Sequence, residues 1–176
     1  MQNELAKKIF ECSHLTGSFL LRSGKTSTEY FDKYQFESRP QLLQEIARAM
    51  KNLIPKDTEL LGALEMGGIP IATALSFETN LPVVFVRKTA KDYGTCKFAE
   101  GPSVKNRRVT LIEDVITTGG QVVMSATDLR QDGALITDVL CVIDRSEGNT
   151  AKLSGAQINM RALFTMAALK AAGAGK

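Results

Sequence analysis

The chain has little of what most often performs covalent chemistry. One histidine, His14, occurs among 176 residues. Nucleophile triads of the Ser-His-Asp or Cys-His kind need an imidazole beside the nucleophile. His14 is expected on the first helix and reads as structural, so such a mechanism is not expected. Three cysteines, Cys12, Cys96 and Cys141, are scattered without CxxC spacing. They make neither a metal-ligand cluster nor a disulfide framework, and a reducing cytoplasm is the expected compartment. No apolar run approaches the roughly 18 residues that a membrane span requires. Residues 1–8, MQNELAKK, lack the apolar stretch of a secretion signal. Charge of either sign is not in excess: 22 Lys and Arg against 19 Asp and Glu leave +3, too mild to imply nucleic-acid binding. Internal repeats, low-complexity linkers and domain boundaries are also missing, so one domain over residues 1–176 is expected.

What remains is an ordinary globular composition, 44% hydrophobic and 23% charged, in a chain long enough for a substantial core. Residues 3–13 carry Leu5, Ile9 and Cys12 at helical spacing. Residues 18–21 and 29–34 read as short strands around a polar turn at 22–28. Pro40 opens a helix that extends to about residue 53. The pattern then alternates. Strands are expected at 60–64, 83–86, 109–112 and 135–143, helices at 69–77 and 120–131, and a long polar loop at 90–103. Residues 157–164 suit an edge strand, with Thr165 capping a short terminal helix. Such alternation predicts an α/β fold with a mostly parallel sheet.

Residues 109–120, VTLIEDVITTGG, carry the strongest chemical signal. A buried strand ends in two adjacent acids, Glu113 and Asp114, able to accept hydrogen bonds from vicinal sugar hydroxyls. The segment continues through Val115, Ile116, Thr117, Thr118, Gly119 and Gly120 into a helix. Backbone N–H groups, two hydroxyls and a helix N-terminus there suit a phosphate. Diol and phosphate recognition side by side describes a ribose-5-phosphate site. The turn Glu65-Met66-Gly67-Gly68 also opens a helix. Alone it reads equally as a pyrophosphate cradle or as a tight turn using glycine for positive φ; beside the first segment the phosphate reading prevails. Arg87, Lys88 and Lys91 cluster at the start of the long loop, where cations would neutralise a leaving diphosphate. All these groups, with Asp144 and Arg145, follow the C-terminal ends of strands and so converge on one rim. Gly24-Lys25-Thr26 is not a Walker A loop, because Phe19 stands where the first glycine must be. Tyr30 and Phe31 are core residues or a stacking surface for a flat heterocycle.

The 109–120 segment resembles the phosphoribosyl diphosphate (PRPP) motif of type I phosphoribosyltransferases. Residues 21–32, 62–70, 87–94 and 109–120, in that order, together resemble the orotate phosphoribosyltransferase family over residues 17–164, and Arg145 matches its orotate-binding arginine. The resemblance implies a type I fold with a small hood from residues 1–36 plus the C-terminal tail. It implies transfer of phosphoribosyl from PRPP to N1 of orotate, giving orotidine 5′-monophosphate and diphosphate. Glu113 and Asp114 would bind the ribose hydroxyls, with Val115 to Gly120 around the 5′-phosphate. Glu65, Met66, Gly67, Gly68, Arg87, Lys88, Lys91 and Tyr93 would contact the diphosphate, and Lys91 and Asp114 would be the catalytic residues. Arg22, Tyr30, Phe31, Thr117 and Arg145 would hold orotate. Mg2+ would be the cofactor, held mainly by PRPP and water, with no protein metal ligand. The family's mobile lysine loop closes over a neighbouring subunit's site, which implies a homodimer with shared sites. Many relatives carry histidine where this chain has Tyr93, a side chain able to donate a hydrogen bond but not to carry positive charge. Two alternatives fit the same segments: transfer to another base, or a PRPP-sensing regulator on this fold. The short, mildly basic chain has no winged-helix segment for the latter.

Overall fold

The computed structural model describes residues 2–20, 24–89 and 98–174. A six-stranded sheet forms the centre, built from β3 (Leu60–Leu64), β4 (Val83–Val86), β5 (Ala99–Glu100), β6 (Arg108–Ile116), β7 (Leu135–Asp144) and β8 (Asn159–Thr165). Its order is β5-β4-β3-β6-β7-β8. Every neighbouring pair is parallel except β4 with the short β5. The strands read as unbroken apolar runs because both faces are covered. All five residues of β3 are buried. Neighbouring residues divide between two cores: Leu61, Ile112 and Leu140 on one face, Leu60, Leu111 and Cys141 on the other.

Helices α3 (Pro40–Met50) and α4 (Gly68–Thr79) cover the first face through Ile46, Met50, Ile71 and Leu75. Helix α5 (Gly120–Gln131) covers the second through Val122, Ala126 and Leu129. Pro40 sits in the first turn of α3, as the sequence predicts. The chain runs outward from β3 to β4 and then returns to the other side of β3 as β6. The order therefore reverses between β3 and β6, where open α/β sheets bind ligands.

The N-terminal elements stand apart from this sheet. Helix α1 (Gln2–Ser13) leads into an antiparallel hairpin of β1 (His14–Leu20) and β2 (Thr26–Phe31). His14 is thus the first residue of β1 rather than part of the helix; its Nε2 lies 2.8 Å from Glu29 Oε2 and its ring stacks on Phe10. The second strand ends at Phe31, short of the expected residue 34. Asp32 is the reason. Its carboxylate accepts the Tyr34 N–H at 3.1 Å and the Gln35 side-chain amide at 3.0 Å, turning the chain into the single-turn α2 (Tyr34–Glu37).

Helix α6 (Ala151–Gly155) was not foreseen, whereas β8 is the expected edge strand. Thr165 Oγ1 accepts the Ala168 N–H at 3.1 Å at the start of α7 (Met166–Ala174), the predicted cap. Helix α7 packs closely on α1: a Cβ on Gly173 would meet the Phe10 ring at 2.1 Å. Among the described residues, no helix is long and apolar enough to cross a membrane.

Candidate active site

Strand β6 continues four residues past its expected end, pairing Glu113 with Cys141 and Ile116 with Asp144. Val115 and Ile116 therefore belong to the strand. Ile116 is buried, and its carbonyl accepts the Arg145 N–H at 2.8 Å. The turn proper is Thr117 to Gly119. Both threonines are exposed, and Gly119 adopts φ 69°, a conformation that glycine takes without strain. Helix α5 then begins with no side chain capping its N-terminus. Its first N–H groups lack intrahelical partners and face the rim with the positive end of the helix dipole. Such an uncapped helix start after a glycine turn is able to hold an anion.

Helix α4 starts the same way after Glu65, Met66 and Gly67, also without a side-chain cap. Here glycine serves a purpose other than positive φ. Gly67 has φ −70°, an ordinary helical value. A Cβ on Gly67 would sit 1.5 Å from Asp114 Oδ2, and one on Gly68 would sit 2.2 Å from the Ile112 carbonyl oxygen. Both glycines exist so that this turn can press against β6. The Glu65 carboxylate accepts the Lys88 N–H at 2.6 Å, tying the β3 turn to the segment after β4. Lys88 is exposed, and Arg87 lies 3.8 Å from Glu100 through its Nε.

The two acids of the motif are not equivalent. Asp114 is 1% exposed; its Oδ1 accepts the Val115 N–H, and its Oδ2 contacts the Lys33 ammonium. Glu113 is only half-buried by exposure, and its Oε1 accepts the Asp114 N–H at 3.0 Å. Burial, reinforced by the adjacent Asp114 carboxylate, pushes the Glu113 pKa up to about 8. Glu37, 7% exposed, shares this crowd, and burial together with Asp114 pushes it up to about 9. Burial opposes charge on Lys33, yet contact with Asp114 outweighs it and raises the lysine above its ordinary value. Lys33 also lies over the Tyr34 ring, 5.2 Å from its centroid.

Lys33 and Glu37 escaped sequence reasoning. Neither sits in a glycine turn or at a strand end. The only available signal was their four-residue spacing after the Tyr30–Phe31 pair. Lys152 on α6 was missed too; its Nζ lies 4.0 Å from where a Cβ on Gly120 would be, beside the phosphate-type turn.

Glu65 to Gly68, Arg87, Lys88, Thr117 to Gly120 and Arg145 follow the C-terminal ends of parallel strands, and Glu113 to Ile116 form the C-terminal end of β6, so all share one rim. Arg145 is exposed there and has no ion pair among the described residues. Tyr30 and Phe31 separate: Tyr30 is 45% exposed on the hairpin, while Phe31 packs on the first core. Arg22, Lys91 and Tyr93 lie outside the described residues. Among the described residues, no group of three or more His, Cys, Asp or Glu side chains is arranged to hold a metal ion.

A family model described as phosphoribosyl transferase domain matches residues 33–158. Among curated proteins, the chain is 54% identical over 168 residues to an orotate phosphoribosyltransferase of Nocardioides sp., covering 96% of this chain and 94% of that protein. Among solved structures, it is similar to Mycobacterium tuberculosis orotate phosphoribosyltransferase with Fe(III) dicitrate, at TM-score 0.86 and 27% identity over 96% of this chain and 98% of that one. The same mycobacterial enzyme in complex with PRPP gives TM-score 0.81 and 26% identity over the same shares.

Proposed function

The chain belongs to the orotate phosphoribosyltransferase family, within the phosphoribosyl transferase domains, and from that premise we propose how its own residues carry the reaction. The activity is transfer of 5-phosphoribosyl from PRPP to N1 of orotate, giving orotidine 5′-monophosphate and diphosphate. One observation supports the placement of substrate above all others: two uncapped helix N-termini flank the buried acid pair at the point where strand order reverses. Thr117 to Gly120 receive the 5′-phosphate. Glu113 and Asp114 receive the ribose hydroxyls. Glu65 to Gly68, with Arg87, Lys88, Lys91 and Tyr93, receive the diphosphate. Arg145, Arg22, Tyr30, Phe31 and Thr117 hold orotate, with the arginines meeting its carboxylate.

The C1–O bond breaks ahead of attack by orotate N1, so the ribosyl centre becomes cation-like. Orotate is already anionic and its N1 proton is acidic for an amide, so no strong protein base is needed. That suits a chain whose single histidine bonds to Glu29 in the hairpin. The protein contributes positioning and a preorganised field for the departing diphosphate. The rim fits a Mg2+ ion brought in by PRPP and its waters rather than a protein cage: Glu65 Oε1 is already engaged by Lys88 and Asp114 Oδ2 by Lys33. When bound, the ion tempers charge on the diphosphate and ribose oxygens.

We take residues 1–176 as a single phosphoribosyltransferase domain with a hood from about residues 1–36 plus the C-terminal tail, acting in the cytoplasm as a homodimer whose Lys91 loop serves the neighbouring site. A spectrophotometric orotate-consumption assay with PRPP and Mg2+, run beside adenine, hypoxanthine and uracil, tests base choice. Turnover of orotate alone is expected; preference for another base would overturn the assignment of Arg145 and Arg22.

A further inference from the structure

Three carboxylic acids from two distant segments crowd one buried spot. Glu37 comes from α2, Glu113 and Asp114 from β6. Among the described residues, the cation in contact with them is Lys33, through Asp114 Oδ2. Lys33 and Glu37 are four residues apart and flank one turn of helix, so both reach the same side. The turn that aims them is fixed by the Asp32 carboxylate through Tyr34 and Gln35.

Asp114 is held from three directions. The Val115 N–H donates to Oδ1, Gly67 approaches so closely that a Cβ there would overlap Oδ2, and the Lys33 ammonium contacts Oδ2. Glu37 is buried beside Asp114, and burial with that neighbouring carboxylate keeps its proton on, so that it can donate to the aspartate. A carboxylate that must accept a ribose hydroxyl has to present one oxygen at a fixed angle. Among three neighbouring acids, without a counter-charge, it would share protons with them and lose that direction.

We propose that Lys33 is a positioning residue of the PRPP site: its ammonium stays on Asp114 when the sugar binds and pins the carboxylate in the orientation that the ribose diol needs. This rests on the placement of the diol on Asp114 proposed above. Lys33 touches no reacting atom. It acts through Asp114, and it joins the α2 turn to the sugar site, so the hood and the sheet rim share one ion pair.

Lys33→Met keeps the side-chain stem on Tyr34 and removes only the charge. Its KM for PRPP is expected to rise at least about 10-fold, the scale for truncating a buried charge pair, with a smaller change in kcat at saturating PRPP. Lys33→Arg, which keeps the charge, is expected to recover most of that loss. A Lys33→Met protein with native circular dichroism and unchanged KM would overturn the proposal. Should that variant fail to fold, a crystal structure of the unaltered protein with PRPP decides: Lys33 Nζ within about 3.5 Å of Asp114 supports the proposal, and Lys33 displaced into solvent refutes it. Asp114→Asn separates the two layers. Unchanged PRPP affinity in that variant would remove the diol placement itself, whereas loss there with none in Lys33→Met removes only the role of Lys33.

Discussion

The sheet rim and the N-terminal hairpin are built on opposite terms. At the rim, position is set by contact between backbones. Gly67 and Gly68 bring the β3 turn onto β6 with no room for one methyl group, and every residue of β3 is buried. The hairpin β1–β2 is mostly exposed. It is fastened by pairs at its surface: Glu29 bonds both His14, at 2.8 Å, and Lys170 of α7, at 2.8 Å. Exposed pairs of this kind contribute little and are screened by salt. In the reading proposed above, the phosphate half of the substrate would meet a surface that cannot relax, and part of the base half an element that can be adjusted at small cost. On that reading the sugar chemistry stays fixed by the rim, while Tyr30 on the hairpin shares base recognition with Arg145 on the rim.

Gly67→Ala should break the rim most severely. The added Cβ overlaps Asp114 Oδ2, so kcat/KM for PRPP is expected to fall at least about 100-fold even if the protein folds, because a displaced Asp114 spoils positioning. Steady-state kinetics showing near-normal turnover would mean that the turn relaxes freely. Next in size is the loop. Lys91→Ala should lower kcat by about 100-fold or more, the scale of a lost preorganised donor. Mixing it with Asp114→Asn protein should restore part of the activity through hybrid dimers; no recovery after proven subunit exchange would count against a shared site.

A subtler test concerns the buried acids. Glu37 keeps its proton up to about 9 in the folded protein, against an ordinary carboxylate value of 4.5. Between those values the folded state holds a proton that the unfolded chain has released, so stability declines as pH rises through this window. Glu113, pushed up to about 8, acts in the same direction. Glu37→Gln removes one of the two contributions, and its melting temperature should drop less from pH 5 to pH 8 than that of the parent chain. Parallel melting curves would assign the proton elsewhere. At the small end, Glu29→Gln loosens the hairpin pairs and should move the melting temperature by about 2 °C or less. A larger drop would show that the hairpin is held as firmly as the rim.

The alternating apolar runs made the parallel sheet, α5 and the edge position of β8 legible from the sequence, since strands covered on both faces must be apolar throughout. The 109–120 segment carried the family resemblance because strand, acids, hydroxyls and glycines follow one another without a gap. The hairpin limits were harder to read. There a single Asp32 carboxylate overrode the β-forming character of Tyr34, and one side-chain hydrogen bond outweighs a weak propensity. Lys33 and Glu37 were invisible for a different cause. Nothing within ten residues of either names the partner 77 positions or more along the chain.

Local order in the chain, then, was enough to nominate the groups proposed to grip phosphate and diol, because those groups come from one strand and its following turn. Which acid is buried, which cation answers it, and why glycine must stand at 67 were settled only when β3, β6 and the turn before α2 were packed together. Electrostatic partnership and steric exclusion depend on distance in space, and the chain reveals that distance only once it has folded.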